Sequence, residues 1–122
     1  MTILSLKIEA LGPFAGNLSL DFSPGTRAGL FLIHGPTGSG KTSILDALCY
    51  ALYGASAGDE RQARDLRSHH AGEDSQTSVC LEFALQEHRY RVKRWMSARK
   101  LATFTEKVVI EEIAPGQRII AD

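Results

Sequence analysis

Apolar and polar side chains alternate along the first part of the chain. Residues 3–10 place apolar side chains at every second position, which is typical of a strand with one buried face. Gly12 and Pro13 interrupt this pattern, and residues 17–22 alternate again. We therefore predict two strands separated by a turn. The run Leu30–Ile33 has no polar member and predicts a further, fully buried strand.

The period changes from that of a strand to that of a helix after residue 40. The apolar stripe predicts a helix of about three turns from Lys41 to Tyr53, and Gly54 is well suited to end it. Because the segment is apolar almost all round, we expect the helix to be buried rather than to lie on a surface. The stripe consists of Ile44, Leu45, Leu48, Ala51 and Leu52.

The second half of the chain alternates again and predicts β-structure. Ser78–Leu85 and Arg89–Trp95 are joined by three residues, so we predict an antiparallel hairpin with Tyr90 and Val92 pointing inward. Residues 103–113 predict another strand. After the turn signal at residues 115–116, Arg118–Ala121 predicts the start of one more. The polar segment 55–74 predicts a surface excursion.

Composition places the chain among ordinary globular domains. It has 122 residues, 43% of them hydrophobic and 23% charged, with a formal net charge of zero. Residues 1–122 are therefore one domain or part of one, and any site for nucleic acid has to be local. Two cysteines without metal-type spacing, no apolar run of membrane-spanning length and no signal pattern lead us to expect a cytoplasmic location.

Residues 35–42 match the pattern G-x-x-x-x-G-K-[ST] between the predicted strand and the predicted helix. Three glycines let the backbone approach a phosphate chain, and the N–H groups of the loop and helix bind its oxygens. Lys41, the candidate catalytic residue, places a positive charge on the β- and γ-phosphates, and the Thr42 hydroxyl binds Mg²⁺. The predicted nucleotide-binding residues here are Gly35, Pro36, Thr37, Gly38, Ser39, Gly40, Lys41, Thr42 and Ser43.

A complete ATPase of this kind also needs an acidic residue at the end of a second strand and further strand–helix units. Val108–Ile110 followed by Glu111 and Glu112 superficially resembles such a strand. Lys107 interrupts that run and a turn signal follows it, so we favour an antiparallel strand with solvated glutamates. The sequence therefore predicts an α/β fold that forms the first part of a larger nucleotide-binding domain.

Four segments together resemble the SbcC family, the ATPase subunits of a bacterial DNA double-strand-break repair nuclease, and more loosely the SMC proteins. The phosphate loop lies near the N-terminus and runs directly into the helix, which ends in Ala51-Leu52-Tyr53-Gly54. The resemblance covers nearly the whole chain. Its segments are Ile8–Phe14, Gly29–Gly54, Asp65–His69 and the hairpin from Phe83 to Arg94.

The resemblance implies the N-terminal part of an ABC-type P-loop ATPase head, with one strand–P-loop–helix unit and an antiparallel β subdomain. It implies ATP and Mg²⁺ as cofactors, and Arg67, Ser68 and His69 as residues that border the base and ribose. The implied partners are the C-terminal half of the same head, a second copy in an ATP-sandwiched dimer, an SbcD-like nuclease subunit and double-stranded DNA. The full-length protein is expected to hydrolyse ATP, and residues 1–122 alone are expected to be inactive.

Two alternatives stay open. One is the head of another ABC or SMC-type ATPase, of a recombination or transporter branch. The other is a half-head that binds nucleotide without turnover. A long heptad run after residue 122 would favour the SbcC family, and an immediate signature motif would favour the compact branches.

Residues 89–100 form a basic stretch without an acid, and they include Trp95. One interpretation is a contact with the DNA backbone through Arg89, Arg91, Lys93 and Arg94. The other is a solvated strand face whose cations pair with Glu82 and Glu111 across the sheet.

Overall fold

The computed structural model describes residues 1–22, 41–54, 66, 68, 76–97 and 105–121, apart from the side chains of Lys41 and Ala121. In this part of the chain one helix packs on a six-stranded antiparallel sheet with the strand order β2-β1-β3-β4-β5-β6. The predicted strand Leu30–Ile33 lies outside the described residues. The elements are β1 (Thr2–Leu11), β2 (Phe14–Asp21), α1 (Lys41–Tyr53), β3 (Thr77–Leu85), β4 (His88–Met96), β5 (Glu106–Ala114) and β6 (Arg118–Ala121).

The first two strands form where the alternation predicts them. In β1 the side chains of Leu6 and Ile8 are buried, whereas Lys7 between them is exposed. A tight turn at Gly12 and Pro13 reverses the chain into β2. β1 also pairs with β3, so it is a central strand of the sheet and β2 lies at one edge.

The predicted hairpin is confirmed as β3 and β4, with one difference at its turn. Leu85 pairs with His88, so the connection has two residues instead of the expected three. Gln86 takes a positive φ of 55° in this turn. Such a backbone matches the twist of two strands joined by a two-residue turn, which explains the shorter connection.

The sheet has two distinct faces. The inner face is covered by α1 and carries the core, to which the helix contributes Ala47, Tyr50 and Ala51. The outer face is polar and has no covering element among the described residues. The inner face includes Leu6, Ile8, Val79, Leu81, Val92 and Met96, and the outer face includes Lys7, Cys80, Glu82, Arg91, Lys93 and Trp95.

Helix α1 has the predicted bounds, but the expectation that it is buried on all sides is wrong. Leu45 is 53% exposed and Tyr53 is 76% exposed, whereas Ala47 and Tyr50 on the other side are fully buried. The reason is geometric, because a single sheet covers only one side of a helix. The remaining apolar side of α1 faces solvent in this structure.

The C-terminal end of α1 is fixed by two contacts. Gly54 takes a φ of +73°, and its N–H donates to the carbonyl of Tyr50 at 2.8 Å. The Nε of Arg94, from β4, donates to the carbonyl of Ala51 at 2.9 Å. The last turn of α1 contains no basic residue of its own, so Arg94 supplies the positive charge that stabilises this end of the helix dipole.

A buried carboxylate on β5 links side chains of three neighbouring strands, β4, β5 and β6. Glu112 was expected to be solvated, but it is only 4% exposed, and this correction follows from its partners. One carboxylate oxygen pairs with Nδ1 of His88 and the other accepts a hydrogen bond from Nε of Arg118. The pairing with His88 and then Arg118 lowers the pKa of Glu112 from its ordinary value. At the edge, β6 exposes Ile119 and Ile120.

Candidate functional site

The N-terminal end of α1 is the candidate nucleotide site. The helix begins at Lys41, at the end of the G-x-x-x-x-G-K-[ST] pattern, and Thr42 in its first turn is exposed. That turn contains no acidic residue, so its free N–H groups and the positive end of the helix dipole suit an anion. The side chain of Lys41 and residues Gly35–Gly40 lie outside the described residues.

The turn between β1 and β2 lies directly against this end of α1. Gly12 takes a φ of +57°, in the left-handed region that favours glycine. A Cβ at this position would lie 2.6 Å from Oγ and 3.0 Å from Cβ of Ser43. Ser43 is half-buried in the first turn of α1, so the turn covers part of the predicted site.

The same turn bonds to Ser68, one of the three residues that the family resemblance linked to base and ribose, and to Leu66. The N–H of Gly12 donates to the carbonyl of Leu66 at 2.8 Å, and the N–H of Ser68 donates to the carbonyl of Ala10 at 2.9 Å. Ser68 is buried at 1% exposure. The structure thus brings Ser68 close to the turn that touches Ser43, whereas Arg67 and His69 lie outside the described residues.

Sequence reasoning missed that the carbonyl of Ala10 accepts two hydrogen bonds, one from Ser68 and one from Thr77. This residue has a positive φ of 52°, unusual for a side chain with a Cβ, at a register shift in β1. Its carbonyl also accepts a hydrogen bond from the hydroxyl of buried Thr77 at 2.7 Å. The Gly12-Pro13 turn signal was the only sequence clue to this arrangement. We call the assembled residues the turn junction: Ala10, Gly12, Ser43, Leu66, Ser68 and Thr77.

The basic hairpin presents a second candidate surface, and most of its arginine charge is already paired. Arg91 donates to Glu82 at 2.9 Å and to Glu111 at 3.3 Å. The hydrogen bond from Arg91 to Glu82 raises the pKa of Arg91 above its ordinary value. Arg89 lies 3.8 Å from Glu82. These contacts match the interpretation in which outer-face cations pair with carboxylates across the sheet.

Lys93 differs from its arginine neighbours. Its ammonium lies 5.6 Å from the ring centre of Trp95, and within the described residues it has no carboxylate in ion-pair distance. Lys7 and Lys93 flank Cys80 in register across three strands, beside an open depression of about 750 Å³. Burial raises the pKa of the Cys80 thiol. Lys7 was not a predicted site residue, because the strand that carries it lies far away in sequence.

Arg94 does not belong to this surface. Side chains alternate along β4, so Arg94 lies on the inner face with Val92 and Met96. Its Nε donates to the carbonyl of Ala51, near the C-terminal end of α1. The structure therefore brings Arg89, Arg91 and Lys93 together on the outer face and separates Arg94 from them.

Comparison with known proteins decides the family. A model described as "AAA domain" matches residues 5–115. The chain belongs to the AAA domain family. This match includes the whole of strands β2 to β5 and helix α1, so the turn junction is part of the AAA domain.

Several relatives of this AAA domain are named as the SbcC component of the nuclease SbcCD. The protein from Vibrio cholerae serotype O1 is 49% identical over 94 residues, which cover 77% of this chain and 9% of the relative. Proteins from Staphylococcus aureus strains JH9 and Newman are each 46% identical over 94 residues, again 77% of this chain and 9% of the relative. The resemblance to SbcC is confirmed, and the chain spans about 9% of the length of the curated relatives that it matches.

Two features are absent from the residues that the structure describes. No group of three or more histidine, cysteine, aspartate or glutamate side chains gathers there to hold a metal ion. Among the helices described, none has the length and apolar character needed to cross a membrane.

Proposed function

We propose that this chain is the N-terminal ATP-binding segment of an SbcC-like ATPase, which controls a nuclease that processes DNA double-strand breaks. The observation that carries the proposal is the 49% identity over 94 residues to the Vibrio cholerae protein named as the SbcC component of the nuclease SbcCD. A helix that starts at Lys41, with exposed Thr42 and no acid in its first turn, supports an anion at the same place.

The residues of the chain take distinct roles in this proposal. Backbone N–H groups of Gly35–Gly40 and Ser43 bind phosphate oxygens, Lys41 neutralises the β- and γ-phosphates, and the Thr42 hydroxyl binds Mg²⁺. Bound MgATP supplies the phosphoanhydride bond that is hydrolysed. The Arg67–His69 segment borders the base and ribose.

The exposed side of α1 supports an intramolecular partner. Leu45 and Tyr53 form an apolar surface that the described sheet leaves uncovered, and the C-terminal half of the same head would cover it. A second copy across bound ATP, an SbcD-like nuclease subunit and double-stranded DNA complete the proposed assembly, in the cytoplasm. An ABC or SMC-type head of another branch, or a half-head without turnover, remains the alternative within this proposal.

Replacing the loop lysine tests nucleotide binding. In the full-length protein, Lys41→Ala should weaken MgATP binding by about 10–100-fold, because one charge-assisted contact contributes about 1.5–3 kcal/mol. Lys107→Ala removes the same side chain at an exposed position of β5 and serves as the control. Equal MgATP affinities for the two variants, measured by calorimetry, would rule out the proposed role of Lys41.

ATP turnover separates the complete head from the half-head. We expect residues 1–122 alone to bind MgATP without measurable hydrolysis, and hydrolysis to appear when the C-terminal half is added or when the full-length protein is assayed. Hydrolysis by residues 1–122 alone would contradict the split-head proposal, and its absence from the full-length protein would favour the non-hydrolysing alternative.

The outer face is the proposed DNA contact, with Lys93 as its principal residue. Lys93 and Lys7 are cations without carboxylate partners among the described residues, and Trp95 lies beside Lys93. In the full-length protein, Lys93→Gln should weaken DNA binding and reduce the slope of log K against log salt by about 1. Arg94→Gln, on the inner face, should leave that slope unchanged. Identical slopes for Lys93→Gln and the unaltered protein would remove Lys93 from the interface.

A further inference from the structure

Four separate parts of the chain meet at the turn junction. The turn is bonded through Gly12 to Leu66 and through Ala10 to Ser68 and Thr77, with donor–acceptor distances between 2.7 and 2.9 Å. Thr77 and Ser68 are both buried at 1% exposure, so water does not compete for these hydrogen bonds. The position of the turn is therefore fixed relative to β3, Leu66 and Ser68.

The turn also meets α1 at Gly12 and Ser43, and none of the hydrogen bonds among the described residues joins these two. A Cβ on Gly12 would lie 2.6 Å from Oγ of Ser43, where rotation of the hydroxyl could relieve the contact. It would also lie 3.0 Å from Cβ of Ser43, where no side-chain rotation helps. A side chain at position 12 therefore requires a shift of a few tenths of an ångström between the turn and the first turn of α1.

We propose that Gly12 is a positioning residue for nucleotide binding, because its missing side chain lets the turn rest on Ser43 and fixes the first turn of α1 relative to Leu66 and Ser68. The inference rests on the proposed function, since it requires the triphosphate to bind at the N-terminal end of α1. Thr42, the proposed Mg²⁺ ligand, is the immediate neighbour of Ser43. A displacement of Ser43 therefore moves the Mg²⁺ ligand as well.

The hairpin contains a matched control for this idea. Gly16 lies in β2, and a Cβ there would meet nothing within 4 Å. Gly12→Ala and Gly16→Ala add the same methyl group to the same hairpin, but only the first reaches α1. A difference between the two variants therefore reports the contact with Ser43 and the local backbone, not a general weakening of the hairpin.

The experiment measures ATP affinity of the full-length variants in Mg²⁺ and in EDTA, together with the unfolding temperature without nucleotide. Gly12→Ala should weaken MgATP binding by about three- to tenfold, because a misplacement of about 1 Å costs about 100-fold in such sites and the added Cβ requires a smaller shift. The loss should be smaller in EDTA, because part of it comes through Thr42 and its metal ion. Gly16→Ala should keep both affinities within about twofold of the unaltered protein.

A second variant separates backbone strain from contact with α1. Gly12→Asn adds the same Cβ but tolerates a positive φ better than alanine does, so it should fold and still show the Mg²⁺-dependent loss. Unchanged MgATP affinity in a folded Gly12 variant would overturn the inference. So would an equal loss in Mg²⁺ and EDTA, a matching loss in Gly16→Ala, or failure of both Gly12 variants to fold.

The outcome for Lys41→Ala keeps the two proposals apart. If Lys41→Ala abolishes binding while Gly12→Ala has no effect, only the positioning role fails. If the unaltered full-length protein binds no MgATP, the proposed function fails and the positioning role fails with it.

Discussion

The same strands form both faces of the sheet, but the inner face is a packed apolar core and the outer face is polar. On the inner face, Leu81 and Val79 are fully excluded from water and pack against α1. On the outer face, the intervening residues Cys80 and Glu82 are half-buried, and Glu82 pairs with the arginines of β4. Stability should therefore come mainly from the inner face, and the outer face is free to vary its charges for binding.

The largest predicted effect comes from opening a cavity in the inner face. Leu81→Ala should lower the free energy of unfolding by about 2–5 kcal/mol, because it removes a fully buried side chain from a packed core. Its neighbour Cys80 points to the outer face, and Cys80→Ala should cost less than about 1 kcal/mol. Similar losses in urea denaturation of the two variants would contradict the assignment of the faces.

An intermediate effect on stability is expected at Glu112, a buried carboxylate whose position in β5 places it on the inner-face side of the sheet. Because its pKa is lowered in the fold, first by His88 and then by Arg118, Glu112 adds stability at pH values above its ordinary pKa of 4.5. That contribution is lost as the pH falls through the lowered value.

Glu112→Gln should therefore flatten the dependence of the unfolding temperature on pH below about pH 5. Arg118→Gln should flatten it in part, because His88 still pairs with the carboxylate. A pH profile of Glu112→Gln that runs parallel to that of the unaltered protein would show that this carboxylate does not contribute.

The smallest effect is expected on the outer face. A double-mutant cycle on Arg91 and Glu82 should give a coupling energy of about 0.2–1 kcal/mol, because both side chains remain partly exposed to water. The coupling should shrink further at about 1 M salt, where the screening length is about 3 Å. A coupling above about 2 kcal/mol would mean that the outer face also determines stability, and the contrast between the faces would be lost.

Alternation and helical period were enough to predict most of the local structure. The bounds of α1 are those predicted, and Gly54 ends the helix with the expected positive φ. β3, β4 and β6 also lie within a few residues of their predictions. These features depend on neighbours in the sequence, so the sequence pattern carries them directly.

Features that depend on distant contacts were harder to predict. Glu112 looks solvated from its own strand, and only the approach of His88 and Arg118 explains its burial. Arg94 was grouped with a basic run, although its parity with Val92 and Met96 already indicated the inner face. The run of basic residues suggested one common surface, although the alternation of side chains along β4 places Arg94 on the other face.

The candidate site also has one part that the local sequence predicts and one part that depends on distant contacts. The pattern at residues 35–42 predicts a phosphate loop from local chemistry, and the start of α1 at Lys41 agrees with it. The turn junction was not predicted, because its hydrogen bonds link residues as distant as Ala10 and Thr77. Nothing in the local sequence of Ala10 signals that its carbonyl is shared by two donors.

The edge strand β6 has a consequence for how the protein behaves when handled alone. Successive residues of a strand point to opposite faces of the sheet, so the apolar side chains of Ile119 and Ile120 lie on opposite faces. They are 65% and 49% exposed. Within the described part of the sheet, no strand pairs with the outer edge of β6, so its main-chain N–H and C=O groups can pair with a strand from another molecule. A lysine at one of these two positions should keep concentrated preparations monodisperse without touching the core.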